Sequence, residues 1–197
     1  MLVFVRHGRT TANREGRLQG RIDLPLDELG ERQAAAVAAH VRAGEDGLGL
    51  SIDRVIASPL QRAQQTVAAF GLPIETDERW IELSYGEYEG VAHADVPSEV
   101  WNQWFTDRDF VPDGGESLAT LDARVRGACD DLRASARHET IVVVSHVSPM
   151  KSAVAWALGV DIGISWRCHL DQASICRVAV RGDRPVLTMF NETVGVS

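Results

Sequence analysis

The feature that most constrains the fold is a set of short apolar runs, each followed directly by polar or cationic residues. The runs Leu2–Val5, Asp53–Ala57 and Thr140–Val144 are rich in β-branched residues, and the last is the most uniform. Such runs are typical of strands in a parallel sheet that is covered on both faces. Two later runs, Ser174–Val180 and Val186–Phe190, have the spacing of a hairpin. We therefore expect an α/β fold.

The segments between these runs carry the signals of helices and loops. Ser58 is predicted to cap a helix that has Pro59 at its first position. Predicted helices cover Glu31–Arg42, closed by Gly44–Gly49, then Ser58–Phe70, the amphipathic segment after Ser117, and Pro149–Leu158. Ile74–Thr76 is predicted as a short strand, Arg6–Leu26 as a long ordered loop with at most a short helix, and Trp80–Gly90 as a loop.

Composition and charge exclude several classes of protein. The 197 residues are 45% hydrophobic, which is too apolar for a disordered chain. No apolar stretch approaches the roughly 20 residues that span a bilayer, and the first residues do not resemble a signal peptide. The net charge of −8 argues against a nucleic-acid-binding protein. Three cysteines without a CxxC pair predict reduced thiols and a cytoplasmic location.

The charge is unevenly distributed along this acidic chain. The first 22 residues contain five arginines and a single glutamate, Glu15. Codon usage explains the excess of arginine over lysine in the whole chain. It does not explain why five arginines are clustered in these 22 residues. A local basic patch on an acidic protein points to a small anionic ligand.

Three polar clusters follow the predicted strands. They are Arg6-His7-Gly8, Ser58–Ala63 with Arg62 in the first helical turn, and Ser145-His146. Taken singly, each histidine or arginine is more often structural than functional. Ligands of parallel sheets bind beyond the carboxyl ends of the strands, so we expect the clusters to meet at one edge. Two histidines and two arginines there predict a site for a dianionic group.

A metal site is the competing interpretation of the two histidines. Neither an HxH nor an HxxxH spacing occurs, and the neighbouring Arg6 and Arg62 would repel a cation. We therefore expect no metal at this site.

The ordered set of motifs resembles the histidine phosphatase superfamily, which includes phosphoglycerate mutases and phosphomonoesterases. The resemblance covers nearly the whole chain. It rests on Arg6-His7-Gly8, Gly16–Leu26, Gly30 with Gln33-Ala34, Ser58–Thr66, Glu82 with Gly86 and Glu89-Gly90, Gly114–Ser117, and Ser145-His146. It implies a three-layer αβα sandwich with a mostly parallel central sheet. The chain is then a single histidine phosphatase domain over residues 1–197, with a variable substrate-facing segment at about 91–113.

The resemblance also implies roles for individual residues. His7 would be the nucleophile that forms a phosphohistidine, and Glu82 the acid that protonates the leaving oxygen, with Glu87 and Glu89 as nearby rivals. The phosphate-binding residues would be Arg6, Asn13, Arg62 and His146, and Gln19 and Gly20 are candidates for substrate binding. The implied ligand is a small phosphorylated metabolite, with no cofactor. The oligomeric state stays open.

Two positions depart from the family pattern. Arg9 stands where the family usually has Glu or Gln, and it either adds a cation to the site or faces outward. Val147 replaces the usual Gly after His146, which would be strained if the backbone needed a positive φ.

Three functions remain open at this point. The compact chain and the segment Glu82–Gly90 favour a phosphatase, a phosphoglycerate mutase is the alternative, and a non-catalytic phospho-ligand binding module is the third. Trp101, Trp104 and Phe105 fall at helical spacing. They form either the core face of a small helix or an apolar wall over the leaving group.

Overall fold

A computed structural model describes residues 1–44 and 47–196. In this part of the chain a sheet of six strands has the order β3-β2-β4-β1-β5-β6. The strands are β1 (Leu2–Arg6), β2 (Arg54–Ala57), β3 (Ile74–Thr76), β4 (Ile141–Ser145), β5 (Ile175–Arg181) and β6 (Arg184–Glu192). Strands β1 to β4 are mutually parallel, whereas β5 runs antiparallel to β1 and pairs with β6 as a hairpin. The expected mostly parallel α/β sheet is confirmed.

Helices lie on both faces of this sheet. They are α1 (Thr11–Arg14), α2 (Glu28–Arg42), α3 (Gln61–Ala68), α4 (Ser98–Thr106), α5 (Leu118–Arg133) and α6 (Val147–Leu158). Alternate residues of β1 point to opposite sides. Leu2 and Phe4 pack with α5 and α6, while Val3 and Val5 pack with α2 and α3. The two cores give the predicted layers. Positions 45 and 46 of the segment predicted to close α2 lie outside the described residues.

Three helix starts differ from the prediction. Helix α2 begins at Glu28, three residues before the predicted Glu31, because the Asp27 side chain caps it. Helix α3 begins at Gln61 with Leu60 as N-cap, so Ser58 does not cap it. The Ser58 N–H instead donates to the Val144 carbonyl at 3.0 Å and continues the pairing with β4. Helix α6 begins at Val147, two residues before Pro149. Proline is tolerated there because N–H groups in the first turn have no intrahelical acceptor.

The variable segment contains one regular helix, α4. Trp104, only 2% exposed, forms a third core cluster with Leu18 and Val96. The core-face interpretation therefore holds for Trp104. Trp101 and Phe105 line a separate open cavity of about 670 Å³.

The loop after β1 crosses the first turn of α2 at very short range. A Cβ on Gly8 would lie 2.4 Å from the Gly30 carbonyl oxygen. We expect Gly8→Ala to lower the free energy of unfolding by about 1–3 kcal/mol, because neither backbone can retreat. Gly127→Ala is the matched control, since its Cβ would meet no atom within 4 Å and a helical alanine should stabilise by roughly 0.4–1 kcal/mol. Urea unfolding measures both, and equal stabilities would contradict the close approach.

Candidate active site

A cavity of about 280 Å³ lies beyond the carboxyl ends of β1, β2 and β4. Its size suits a small ligand. Seven residues singled out in the sequence line it: Arg6, His7, Asn13, Gln19, Gly20, Arg62 and Glu82. His146 lies behind Arg62, fully buried, with its ring centroid 5.1 Å from that of His7. The structure thus brings all the predicted site residues to one edge of the sheet.

His7 is held with one ring nitrogen directed away from its own backbone. Its Nδ1 lies 2.7 Å from the Gly8 carbonyl oxygen, which can only accept, so the proton of the neutral ring is on Nδ1. Nε2 therefore carries a lone pair, and Arg62 Nε donates to it at 3.2 Å. Burial, followed by the charges of Arg62 and Arg6, holds the pKa of His7 well below its usual range. The ring is therefore neutral at physiological pH, with an unprotonated Nε2.

Arg62 is the centre of the site. Its Nε is shared between His7 Nε2 and His146 Nδ1, each at 3.2 Å. Its terminal nitrogens donate to the carbonyls of Ile22 at 3.0 Å and Gly20 at 2.7 Å. Burial lowers the pKa of Arg62 to about 10, which leaves it charged at neutral pH. The guanidinium is therefore a fixed cation beside His7.

His146 is oriented by Ser58, a residue that sequence reasoning assigned only to a helix cap. Because His146 Nδ1 accepts from Arg62, the ring proton is on Nε2, which donates to Ser58 Oγ at 2.6 Å. Burial and the neighbouring cation Arg62 hold the pKa of His146 well below its usual range. The signal for Ser58 was its place directly after a strand end, as for His7 and His146.

Arg6 and Asn13 add donors around the same space. Arg6 Nη1 donates to the Leu170 carbonyl at 2.6 Å. Asn13 is fixed by a capping box with Thr10, whose backbone N–H donates to Asn13 Oδ1 at 3.1 Å. Among the described residues, Asn13 Nδ2 has no hydrogen-bond partner, so this donor is available to a ligand.

Gln19 and Gly20 form a rigid part of the wall. Gly20 has a positive φ of 53°, and a Cβ there would lie 2.3 Å from Glu89 Oε1. That carboxylate accepts from the N–H groups of Arg21 at 3.0 Å and Tyr85 at 3.2 Å. Glu89 therefore connects two loops, as a structural residue would. It does not line the cavity.

Glu82 is 5% exposed and reaches the cavity from the segment after β3. Its Oε1 accepts from the N–H groups of Leu83 at 2.8 Å and Ser148 at 3.3 Å. Oε2 has no hydrogen bond to any described residue, so a proton on this carboxyl would be carried by Oε2. The carboxyl group is therefore held by one oxygen and presents the other.

A partly buried ion-pair network contacts the backbone of Glu82. Arg124 forms two hydrogen bonds to Glu116, both at 2.9 Å, and also donates to the Glu82 carbonyl at 3.3 Å. Arg21 donates to the same carbonyl at 3.2 Å. Sequence reasoning missed Arg21 and Arg124 in this role, because the network joins residues far apart in the chain and no local pattern marks them.

The comparisons with known proteins decide the family. The family model of the histidine phosphatase superfamily (branch 1) matches residues 2–193. This chain belongs to the histidine phosphatase superfamily. The bifunctional protein Rv2228c of Mycobacterium tuberculosis is 35% identical over 182 residues, which cover 88% of this chain and 48% of Rv2228c. The chain thus spans about half the length of the curated relatives of that type.

Other relatives match over most of their length. Phosphoserine phosphatase 1 of Hydrogenobacter thermophilus is 32% identical over 200 residues, covering 98% of this chain and 92% of the relative. Relatives that carry a phosphoglycerate mutase name also match, at 33 to 37% identity. A crystal structure of a mutant phosphoserine phosphatase from Entamoeba histolytica, in complex with phosphoserine, superposes with a TM-score of 0.85. It has 26% identity and covers 97% of this chain and 96% of that one.

The two departures from the superfamily pattern have simple structural outcomes. Arg9 faces outward, where its Nε pairs with Asp27 at 2.8 Å, and it does not line the cavity. Val147 opens α6 and is not among the residues with positive φ, so the strain considered for this position does not arise.

The two buried histidines make stability depend on pH. In the folded chain their pKa values are depressed, so the unfolded chain binds protons first as the pH falls below about 6.5. We expect the free energy of unfolding to be unaffected by these groups above that pH, and to fall below it by up to about 1.4 kcal/mol per pH unit for each histidine. Urea unfolding between pH 7 and 5 measures the slope. His146→Gln should make it shallower, and an unchanged slope would contradict the depressed pKa values.

No helix in the described part of the chain is long and apolar enough to cross a bilayer.

Proposed function

We propose that this chain is a phosphomonoesterase that hydrolyses a small phosphorylated metabolite through a phosphohistidine, without a metal ion. The observation that carries the proposal is the unprotonated Nε2 of His7, which faces a cavity with Arg6, Arg62 and Asn13 on its wall. Relatives named as phosphoserine phosphatases support the substrate class.

In the first step, the His7 Nε2 lone pair attacks phosphorus and the bond from phosphorus to the leaving oxygen breaks. Glu82 gives its proton to that oxygen, so an alcohol departs and a carboxylate remains. Charge develops on the equatorial oxygens of the phosphoryl group. Arg6, Arg62 and Asn13, which line the cavity, stabilise that charge in this proposal.

In the second step, water attacks the phosphohistidine and the bond from phosphorus to nitrogen breaks. The electron pair returns to Nε2, and the Glu82 carboxylate takes a proton from the water. Inorganic phosphate leaves, and Glu82 is again protonated for the next cycle. Arg62 donates to Nε2 when this nitrogen is free, and that hydrogen bond breaks as the bond from nitrogen to phosphorus forms. The Nδ1 proton, bonded to the Gly8 carbonyl, holds the ring in both steps.

The chemistry of the wall residues favours catalysis without a metal. The cavity is lined by guanidinium groups that repel a cation, and Glu82 is the only carboxylate among the described residues that line it. Arginine and histidine donors supply the charge stabilisation that a metal provides in other phosphoryl-transfer sites.

The test is phosphate release from a panel of phosphomonoesters in the presence of a chelator, with isomerisation of 3-phosphoglycerate measured in parallel. We expect release that resists the chelator and is lost in His7→Ala. Isomerisation without release would replace the proposal by a phosphoglycerate mutase, which the mutase-named relatives make the second candidate. Binding of phosphate without either reaction would leave a phospho-ligand binding module.

We also propose a single histidine phosphatase domain in a reducing, cytoplasmic compartment. Cys129 and Cys176 are buried free thiols, and Cys168 is a partly exposed one. Unpaired thiols are typical of a reducing compartment.

A further inference from the structure

We infer that Lys151 is a specificity residue that binds an anionic group, a carboxylate, on the leaving group of the substrate. The inference rests on the proposed function and names a substrate class for it: phosphate monoesters of hydroxy acids. Lys151 is the only lysine in the chain, and it lines the same cavity as His7.

Lys151 reaches the cavity from α6. It lies one turn after Val147, which is also on the cavity wall, so both residues share one face of the helix. Helical side chains lean toward the N-terminus, and the N-terminus of α6 is the end at His146. Lys151 therefore adds a cation to the wall from an element other than those that carry Arg6 and Arg62.

The charge balance of the cavity leaves Lys151 without a partner. Arg6 and Arg62 match the two charges of a phosphate dianion, and Glu82, the one carboxylate among the described residues of the wall, is neutral in the proposed first step because it carries the proton that it transfers. Arg17 also lines the cavity, but it pairs with Glu15 at 3.0 Å. Lys151 forms no ion pair or hydrogen bond with any residue that the structure describes. One more negative charge on the ligand would balance this cation.

The surroundings of Lys151 strengthen such a pairing. Lys151 is partly buried, and this burial lowers the pKa of its ammonium group. A charge pair in a partly desolvated position is stronger than one on the surface. Two polar side chains, His169 and Gln172, also line the cavity.

Matched substrates isolate this contact. 3-Phosphoglycerate and glycerol 3-phosphate differ in having a carboxylate or a hydroxymethyl group at one end, and phosphoserine and phosphoethanolamine differ by one carboxylate. In the wild type we expect kcat/KM to favour the carboxylate member of at least one pair. Lys151→Met should lower kcat/KM for that member by about 10- to 100-fold and leave its partner nearly unchanged.

The control variant is Arg167→Met, which removes an exposed cation near His169 in the chain but outside the cavity wall. It should keep the wild-type preference, and Lys151→Arg should restore part of it. Equal losses for both members of a pair in Lys151→Met would assign Lys151 to the phosphate and overturn the inference. An absence of preference in both wild-type pairs would overturn it as well.

A binding measurement separates this inference from the proposed function. Because the chain has one lysine, reductive methylation with ¹³C-formaldehyde gives a single side-chain NMR signal from Lys151. In His7→Ala, 3-phosphoglycerate should shift this signal, and glycerol 3-phosphate should shift it much less. A carboxylate-dependent shift without turnover in the wild type would contradict only the proposed hydrolysis. Turnover with equal shifts would contradict only the role of Lys151.

Discussion

His7→Ala is expected to lower kcat for phosphomonoester hydrolysis by about 10⁴-fold or more. The variant lacks the nitrogen that would accept the phosphoryl group. Arg6 and Arg62 remain, so phosphate binding should persist. Initial rates measure the loss of turnover. Labelling with a ³²P-phosphomonoester, quenched in alkaline detergent, measures the intermediate, because wild-type protein should carry a base-stable, acid-labile label.

The matched control for His7 is another histidine of the same chain. His138 is exposed and lies outside the cavity, so His138→Ala should keep both the rate and the label. The phosphohistidine mechanism would be wrong if His7→Ala kept more than about a tenth of the rate, or if labelled His7→Ala protein were recovered. Equal unfolding midpoints for the two variants would show that the loss is chemical.

Glu82→Gln is expected to lower kcat by about 10² to 10⁴-fold for alkyl phosphates. The amide keeps the shape of the side chain but has no acidic proton for the leaving oxygen. With p-nitrophenyl phosphate the first step should be affected much less, because p-nitrophenolate leaves without protonation. The second step still lacks its base, so a burst of p-nitrophenol equal to the enzyme concentration should precede slow turnover.

Glu87 supplies the control for this experiment. It is exposed, lies outside the cavity and was a rival candidate from the sequence. Glu87→Gln should behave as the wild type with both kinds of substrate. If Glu82→Gln lost activity equally for good and poor leaving groups and gave no burst, its role as proton donor would be contradicted. If Glu87→Gln showed the burst, the role would belong to that residue.

Much of the fold was predictable because its strands are short, apolar and buried on both sides. The sequence predicted β1, β2 and β4 within one or two residues at each end, and the late hairpin as well. Helix starts were less predictable. Ser58 and Pro59 have the pattern of a cap and first turn, yet tertiary pairing with β4 keeps Ser58 extended and moves the start of α3 to Gln61.

The variable segment shows a second limit of sequence reasoning. The spacing of Trp101, Trp104 and Phe105 predicts a helix but not which face is buried. Packing of α4 against Leu18 and Val96 buries Trp104, while Phe105 stays 53% exposed. The decisive contacts come from residues distant in the chain, and no local pattern encodes them.

Local composition was enough to predict the parallel sheet, the edge at which the clusters meet, and Arg6, His7, Arg62 and His146 there, because it marks the strand ends. Asn13, Gln19, Gly20 and Glu82 were predicted only through the resemblance to the superfamily. The hydrogen bonds between those residues and the directions of their side chains depend on the tertiary structure. The folded chain places one Arg62 nitrogen between two histidines, gives Ser58 a hydrogen bond to His146, and turns Arg9 outward. It also leaves Lys151 on the cavity wall without a partner among the described residues. The physical reason is that protonation, orientation and charge balance depend on distances between groups that the chain brings together only when it folds.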